Sequence, residues 1–227
     1  MHSVDIRPEI LDRVMKRRGR RHLFESIDAN GAALVVIDMQ NTFCDVGAPA
    51  EVPQSRAIVP TLNVLTPRLR ASGVPVIWVL HANTHFQGKS DWALFYDNVV
   101  AGDIRLRTME SNAPENQAVY SGLETHPDDM IIVKNRYSAL IPGSSSLERV
   151  LRSMGRDHLL IAGTKTNICC ESTARDAMMM DFKVTMLSDC CAALSDEEHR
   201  AALENIVQQF GNVMTSNEAL ELIEKAG

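Results

Sequence analysis

Nowhere in this sequence does an apolar run reach the ~18 residues that a membrane-spanning helix needs. The opening residues, Met1-His2-Ser3-Val4-Asp5-Ile6-Arg7, lack the apolar stretch of a secretory signal peptide, so none is expected. No C-x-x-C pair occurs. The five cysteines, at 44, 169, 170, 190 and 191, are odd in number and include two adjacent pairs that are poorly placed to bridge themselves. Free thiols in a reducing compartment follow, and the expected location is the cytoplasm. There is no excess of positive charge either. A net charge of −6 argues against nucleic acid or an anionic membrane as partner, and leaves a small molecule. Internal repeats and low-complexity tracts are also absent.

What is present is a globular composition, 45% hydrophobic and 23% charged, over 227 residues, enough for one large domain and short for two ordinary ones. Residues 7–24 read as a basic amphipathic helix, with Ile10, Leu11 and Val14 on one side and Lys16, Arg17, Arg18, Arg20 and Arg21 gathered at its end. That helix is either an anion-binding arm or, the favoured reading, a solvated helix packed on the body or on a neighbouring subunit.

Beyond it, strands and helices alternate. Ala32-Ala33-Leu34-Val35-Val36-Ile37 is a continuous apolar run, as expected for a strand buried on both faces of a parallel sheet. A helix carrying Ile58, Leu62, Leu65 and Leu69 closes at Gly73. Strands are expected at 74–80, 130–133, 158–162 and 183–188, with a short one near Val213-Met214. Helices are expected at 145–154, 168–180 and 195–210, and residues 81–128 form a long excursion of mixed polarity. Such alternation means right-handed crossovers and an α/β, three-layer, doubly wound sheet. Residues 1–29 are an N-terminal helical extension and 30–227 the main domain.

Ligands of doubly wound sheets sit beyond the carboxyl ends of the strands. There the first strand ends in Asp38, the third in Lys134, and the fourth leads through Gly163-Thr164-Lys165-Thr166 to Cys169. Singly, each has an ordinary explanation: a cap after a strand, a surface lysine, a small core residue. Together, an acid, a base and a thiol at one sheet edge suit nucleophilic catalysis. A helix N-terminus and a nearby ammonium are expected to lower the thiol pKa. Asp38 would then shuttle the proton, Lys134 would hold Asp38 ionised, and the 163–166 turn would present N–H groups to an oxyanion.

Three segments, "ALVVIDMQNTF", "VKNRYSAL" and "LLIAGTKTNICCESTARDA", resemble the signatures of the isochorismatase-like cysteine hydrolases, over about residues 30 to 215. "TNICCEST" and "KNRYS" most resemble the ureidoacrylate amidohydrolase branch. The resemblance implies a six-stranded, mainly parallel sheet flanked by helices and an Asp38–Lys134–Cys169 triad. It also implies a cis peptide at Thr164–Lys165 beside the oxyanion site, and a dimer or tetramer. It places the nucleophile at Cys169 and gives Cys170 a packing role. Cys190 and Cys191 read as buried packing and Cys44 as a loop filler. In nicotinamidases the region of His81 and His85 holds a metal, but the preceding carboxylate is missing here, so no metal and no cofactor are expected. Substrate contacts are expected from His81, Asn83, Trp92, Arg136 and Tyr137. Trp92 and Phe95 would cover the pocket, and Arg136 would clamp a carboxylate.

The implied activity is a metal-independent cysteine hydrolase that cleaves a C–N bond of a small amide, ureido or N-carbamoyl compound through a thioester. Two other readings stay open: an isochorismatase-type vinyl-ether hydrolase, which does not need the thiol, and a non-catalytic binding subunit on the same scaffold.

Overall fold

The structure is a computed structural model that describes residue 2 and residues 4–226. Six strands form one sheet: β1 (Ala32–Ile37), β2 (Val76–His81), β3 (Met130–Lys134), β4 (His158–Thr164), β5 (Lys183–Ala192) and β6 (Asn212–Met214). Their order is β3-β2-β1-β4-β5-β6, and every pairing is parallel. β1 shows why an all-apolar strand belongs inside such a sheet. Ala33, Val35 and Ile37 join the core on one face, while Ala32, Leu34 and Val36 join the core on the other.

Helices cover both faces. α1 (Pro8–Arg18), α3 (Leu147–Ser153), α4 (Glu171–Met179) and α5 (Asp196–Asn205) contribute to the first core. α2 (Ser55–Ala71) and α6 (Ser216–Ala226) contribute to the second. The stripe Ile58, Leu62, Leu65 and Leu69 of α2 is buried throughout, as its spacing predicts, and Gly73 turns the chain back with φ 77°. Each such fully buried aliphatic side chain stabilises the fold by roughly 1.5–3 kcal/mol.

The sheet is tightest at Gly163. Its φ is 114°, and an added Cβ would lie 2.0 Å from the Ile37 carbonyl oxygen. Only glycine lets β4 approach the end of β1 this closely. The β4–β5 register shifts between Ile161 and Gly163, so that Gly163 pairs with Cys191. β5 therefore runs four residues past its expected end, and Cys190 and Cys191 lie within the strand, one in each core.

The N-terminal helix is shorter than its sequence suggests. It stops at Arg18 because Gly19 takes φ 73° and donates its N–H to the Met15 carbonyl. Its apolar side faces its own domain: Ile10 and Val14 are buried in the first core. Arg7 clamps it there, donating from Nε and Nη2 to the two Glu204 carboxylate oxygens at 2.9 and 2.6 Å. The 81–128 excursion folds into a hairpin (His85–Phe86 with Lys89–Ser90), two helices (Ala93–Asn98 and Gly102–Ser111) and a 3₁₀ turn at Pro114–Asn116. No described helix is long and apolar enough to cross a membrane.

Candidate active site

The carboxyl ends of β1, β3 and β4 bring Asp38, Lys134 and Cys169 together at one edge of the sheet. Asp38 follows β1 directly and is fully buried. It holds φ 56°, a left-handed conformation that costs a non-glycine residue about 1–2 kcal/mol. Lys134, the last residue of β3, is also fully buried and lies in register with His81 of β2.

The three protons of the Lys134 ammonium meet three acceptors: Asp38 Oδ2 at 2.9 Å, the Arg136 carbonyl at 3.1 Å and His81 Nδ1 at 3.3 Å. If Nδ1 accepts, His81 carries its proton on Nε2, which donates to Asn83 Oδ1 at 2.8 Å. Burial and the Lys134 ammonium push His81 down to about 3, so the imidazole is neutral, as this network needs. The Asn83 amide donates to Asp91 Oδ1 at 2.7 Å, and Tyr96 donates its hydroxyl to Asn83 Oδ1 at 3.1 Å. A side chain that the sequence reading left unassigned completes the frame. Gln40 donates to the His81 carbonyl at 2.8 Å and accepts from the His81 N–H at 2.6 Å.

Cys169 does not open an α-helix. It lies in a π-helical turn, Thr166–Cys170, and α4 begins only at Glu171. The expectation of a lowered thiol pKa also fails. Burial pushes the Cys169 thiol well up and the Asp38 carboxylate pushes it further; only the Lys134 ammonium opposes them. Desolvation outweighs the ammonium because the thiol is nearly closed off from water. The resting thiol is therefore neutral. Burial raises Asp38 as well, against the pull of Lys134. Burial pulls Lys134 down, yet the Asp38 carboxylate and its hydrogen bond oppose this, and the net shift is upward, so the ammonium persists. Asp38 Oδ2 is taken by Lys134, while Oδ1 has no hydrogen-bond partner. Cys170, next in the chain, points its Sγ at the Ala162 carbonyl of β4 and is fully buried, which fits a packing role.

A cavity of about 550 Å³ opens over Cys169. His81, Trp92, Phe95, Tyr137 and Lys165 line it, together with residues from 43–52 and 99–112. Trp92 stacks on Phe95 at 4.8 Å and meets Tyr137 edge-on at 4.7 Å. Two expected substrate contacts are displaced. Asn83 is 1% exposed and lies behind His81. Arg136 does not line the cavity: its guanidinium donates to the Asn135 and Asp91 carbonyls at 2.7 and 2.9 Å and packs over Trp92. Those carbonyls hold the guanidinium against the Asn135 and Asp91 backbone, outside the cavity. The Thr164–Lys165 peptide is cis, and the Thr164 hydroxyl donates to the Ala192 carbonyl at 3.2 Å.

Phe43, Val52, Ile104, Ile168 and Leu194 also line the wall and were not anticipated. They carry no local signal, because they come from segments far apart in the chain. His85 turns away from His81 and pairs with the Met109 carbonyl at 2.9 Å. Among the described residues no cluster of three or more His, Cys, Asp or Glu could hold a metal ion.

Residues 32–218 match the Isochorismatase domain family. The chain belongs to this family. Enterobactin synthase component B of Escherichia coli (strain K12) is 32% identical over 189 residues, covering 83% of this chain and 62% of that protein. The chain thus spans less than two thirds of that relative. Ureidoacrylate amidohydrolase RutB of Pseudomonas savastanoi pv. phaseolicola is 31% identical over 201 residues, 79% of this chain and 78% of that one. The crystal structure of a cysteine hydrolase from Pseudomonas syringae pv. phaseolicola 1448A superposes with a TM-score of 0.78 at 29% identity, covering 92% of this chain and 99% of that one. The relatives of this chain thus include an amidohydrolase.

Proposed function

We propose that this isochorismatase-family chain hydrolyses a C–N bond of a small amide, ureido or N-carbamoyl compound, with Cys169 as nucleophile. The observation that carries the reading is the unpartnered Asp38 Oδ1 in electrostatic contact with a buried, neutral thiol. A carboxylate whose proton affinity is raised by burial is matched to a thiol whose proton affinity is also raised, so the proton can pass between them.

Oδ1 of Asp38 takes the Cys169 proton as Sγ attacks the carbonyl carbon. The tetrahedral oxygen faces the backbone amides of Lys165 and Cys169. Asp38 returns the proton to the leaving nitrogen, the C–N bond breaks, and an amine or ammonia departs from the thioester. Water attacks the thioester and Asp38 accepts its proton; the C–S bond then breaks, the acid leaves, and Asp38 returns the proton to Sγ, which restores both the thiol and the carboxylate. Lys134 stays protonated throughout and holds Asp38 in place. The vinyl-ether alternative gives the thiol no task, and the Asp38–Cys169–Lys134 contacts favour the amide reading.

The test is ammonia or amine release across ureido acids, carboxamides and nicotinamide, with Cys169→Ala and Cys170→Ala alongside the unmodified protein. Cys169→Ala is expected to abolish turnover while melting normally, and Cys170→Ala to keep most of it. Equal losses in the two variants, at unchanged stability, would remove Cys169 from its role.

A further inference from the structure

One charged side chain on the cavity wall has no partner among the described residues. Lys165 lines the cavity beside Cys169, half-buried, and its side chain makes no hydrogen bond or ion pair with any described residue. The other charges at the site are already answered. Lys134 meets three acceptors. Glu51, the acidic residue of the wall, accepts from Arg56 and from the Gly47 N–H, each at 2.8 Å. Arg136 is held by two carbonyls outside the cavity, and His81 is neutral.

Val52, Trp92, Phe95, Ile104, Ile168 and Leu194 give the cavity wall an apolar stretch, and Thr108 and Asn112 add polar groups to it. An ion pair formed inside a half-buried cavity with apolar walls is screened less than one on the open surface. At about 550 Å³, the cavity falls in the range that accepts a drug-sized ligand, far more room than a three-carbon ureido acid would fill.

We propose that Lys165 anchors the carboxylate of an amide or ureido acid whose body is apolar or aromatic. The body lies against Trp92 and Phe95, and the carboxylate on Lys165 sets the C–N carbonyl over Cys169. This specificity rests on the hydrolase reading above. It assigns to Lys165 the role that the sequence suggested for Arg136.

The experiment measures binding on the Cys169→Ala protein by calorimetry, so that it does not depend on turnover. The probes are N-carbamoyl-L-phenylalanine, its neutral carboxamide, and N-carbamoylglycine, which has the carboxylate without the aromatic body. The acid with the aromatic body is expected to bind at least about tenfold more tightly than either of the others, the scale of one charge-assisted contact. Adding Lys165→Gln is expected to erase the difference between acid and carboxamide, and Lys165→Arg to preserve it. Equal binding of acid and carboxamide, a preference that survives Lys165→Gln, or no binding by any probe would overturn the assignment. If the acid binds as expected but the unmodified protein turns over no amide or ureido compound, the hydrolase reading fails and the anion anchor stands.

Discussion

Replacing Lys134 with methionine tests the electrostatics of the site most directly. The substitution leaves the Asp38 carboxylate fully buried with its counter-charge gone, since Oδ2 loses its lysine and only the Cys169 thiol remains beside it. Breaking a buried ion pair on one side typically costs about 3–5 kcal/mol. Protonation sets a ceiling on that cost. Starting from an unfolded carboxyl near 3.9, neutralising Asp38 in the folded state costs about 5.6 kcal/mol at pH 8 and about 2.9 kcal/mol at pH 6, at 1.36 kcal/mol per unit. A carboxyl whose folded pKa is raised favours folding fully below its unfolded pKa, and that contribution is lost as pH rises through the folded value. Lys134→Met is therefore expected to lose about 3–5 kcal/mol at pH 8 and less than about 3 kcal/mol at pH 6. Urea unfolding at the two pH values, beside the unmodified protein, reads this as a shift in midpoint at constant slope. Adding Asp38→Ala removes the stranded charge, so the double variant should be more stable at pH 8 than Lys134→Met alone. A cost below about 1 kcal/mol, a cost equal at both pH values, or a double variant no more stable than the single would refute the reasoning.

The same structure makes other outcomes checkable. Gly163→Ala places a Cβ 2.0 Å from the Ile37 carbonyl oxygen, so a loss above about 4 kcal/mol, or no folded protein, is expected. Gly143→Ala, at φ 81° with open space around it, should cost only about 1–2 kcal/mol, and similar losses for the two would show that the close approach is not limiting. Turnover is expected to survive a strong chelator, because both His81 nitrogens are engaged by Asn83 and Lys134; activity lost to the chelator and restored by a divalent ion would contradict this. Deleting residues 1–24 uncovers the core that Ile10 and Val14 seal, so the melting temperature should fall by an amount equivalent to about 1.5–3 kcal/mol for each side chain. Sedimentation of the unmodified chain as a monomer at micromolar concentration would dispose of the proposed dimer or tetramer.

Much of this was written along the chain. The order of elements, the doubly wound sheet and the placing of Asp38, Lys134 and Cys169 at strand ends are local properties. Apolar runs such as 32–37 make buried parallel strands, and whatever residue follows each run lands at the carboxyl edge. Tertiary structure alone decided how those residues behave. Side-chain partners depend on register between distant strands, which pairs His81 with Lys134 and lets the imidazole, not solvent, take the third ammonium proton. The thiol pKa follows from burial by the whole fold, so a positive neighbour visible in the sequence could not forecast its rise. The pocket wall draws on residues 43–52, 92–112 and 194, whose mixed polarity has no period to read. Arg136 and Lys165 show the limit most plainly. Both are basic residues near strand ends, and only the packed backbone supplies two carbonyls to the first and leaves the second on the cavity wall without a side-chain partner among the described residues.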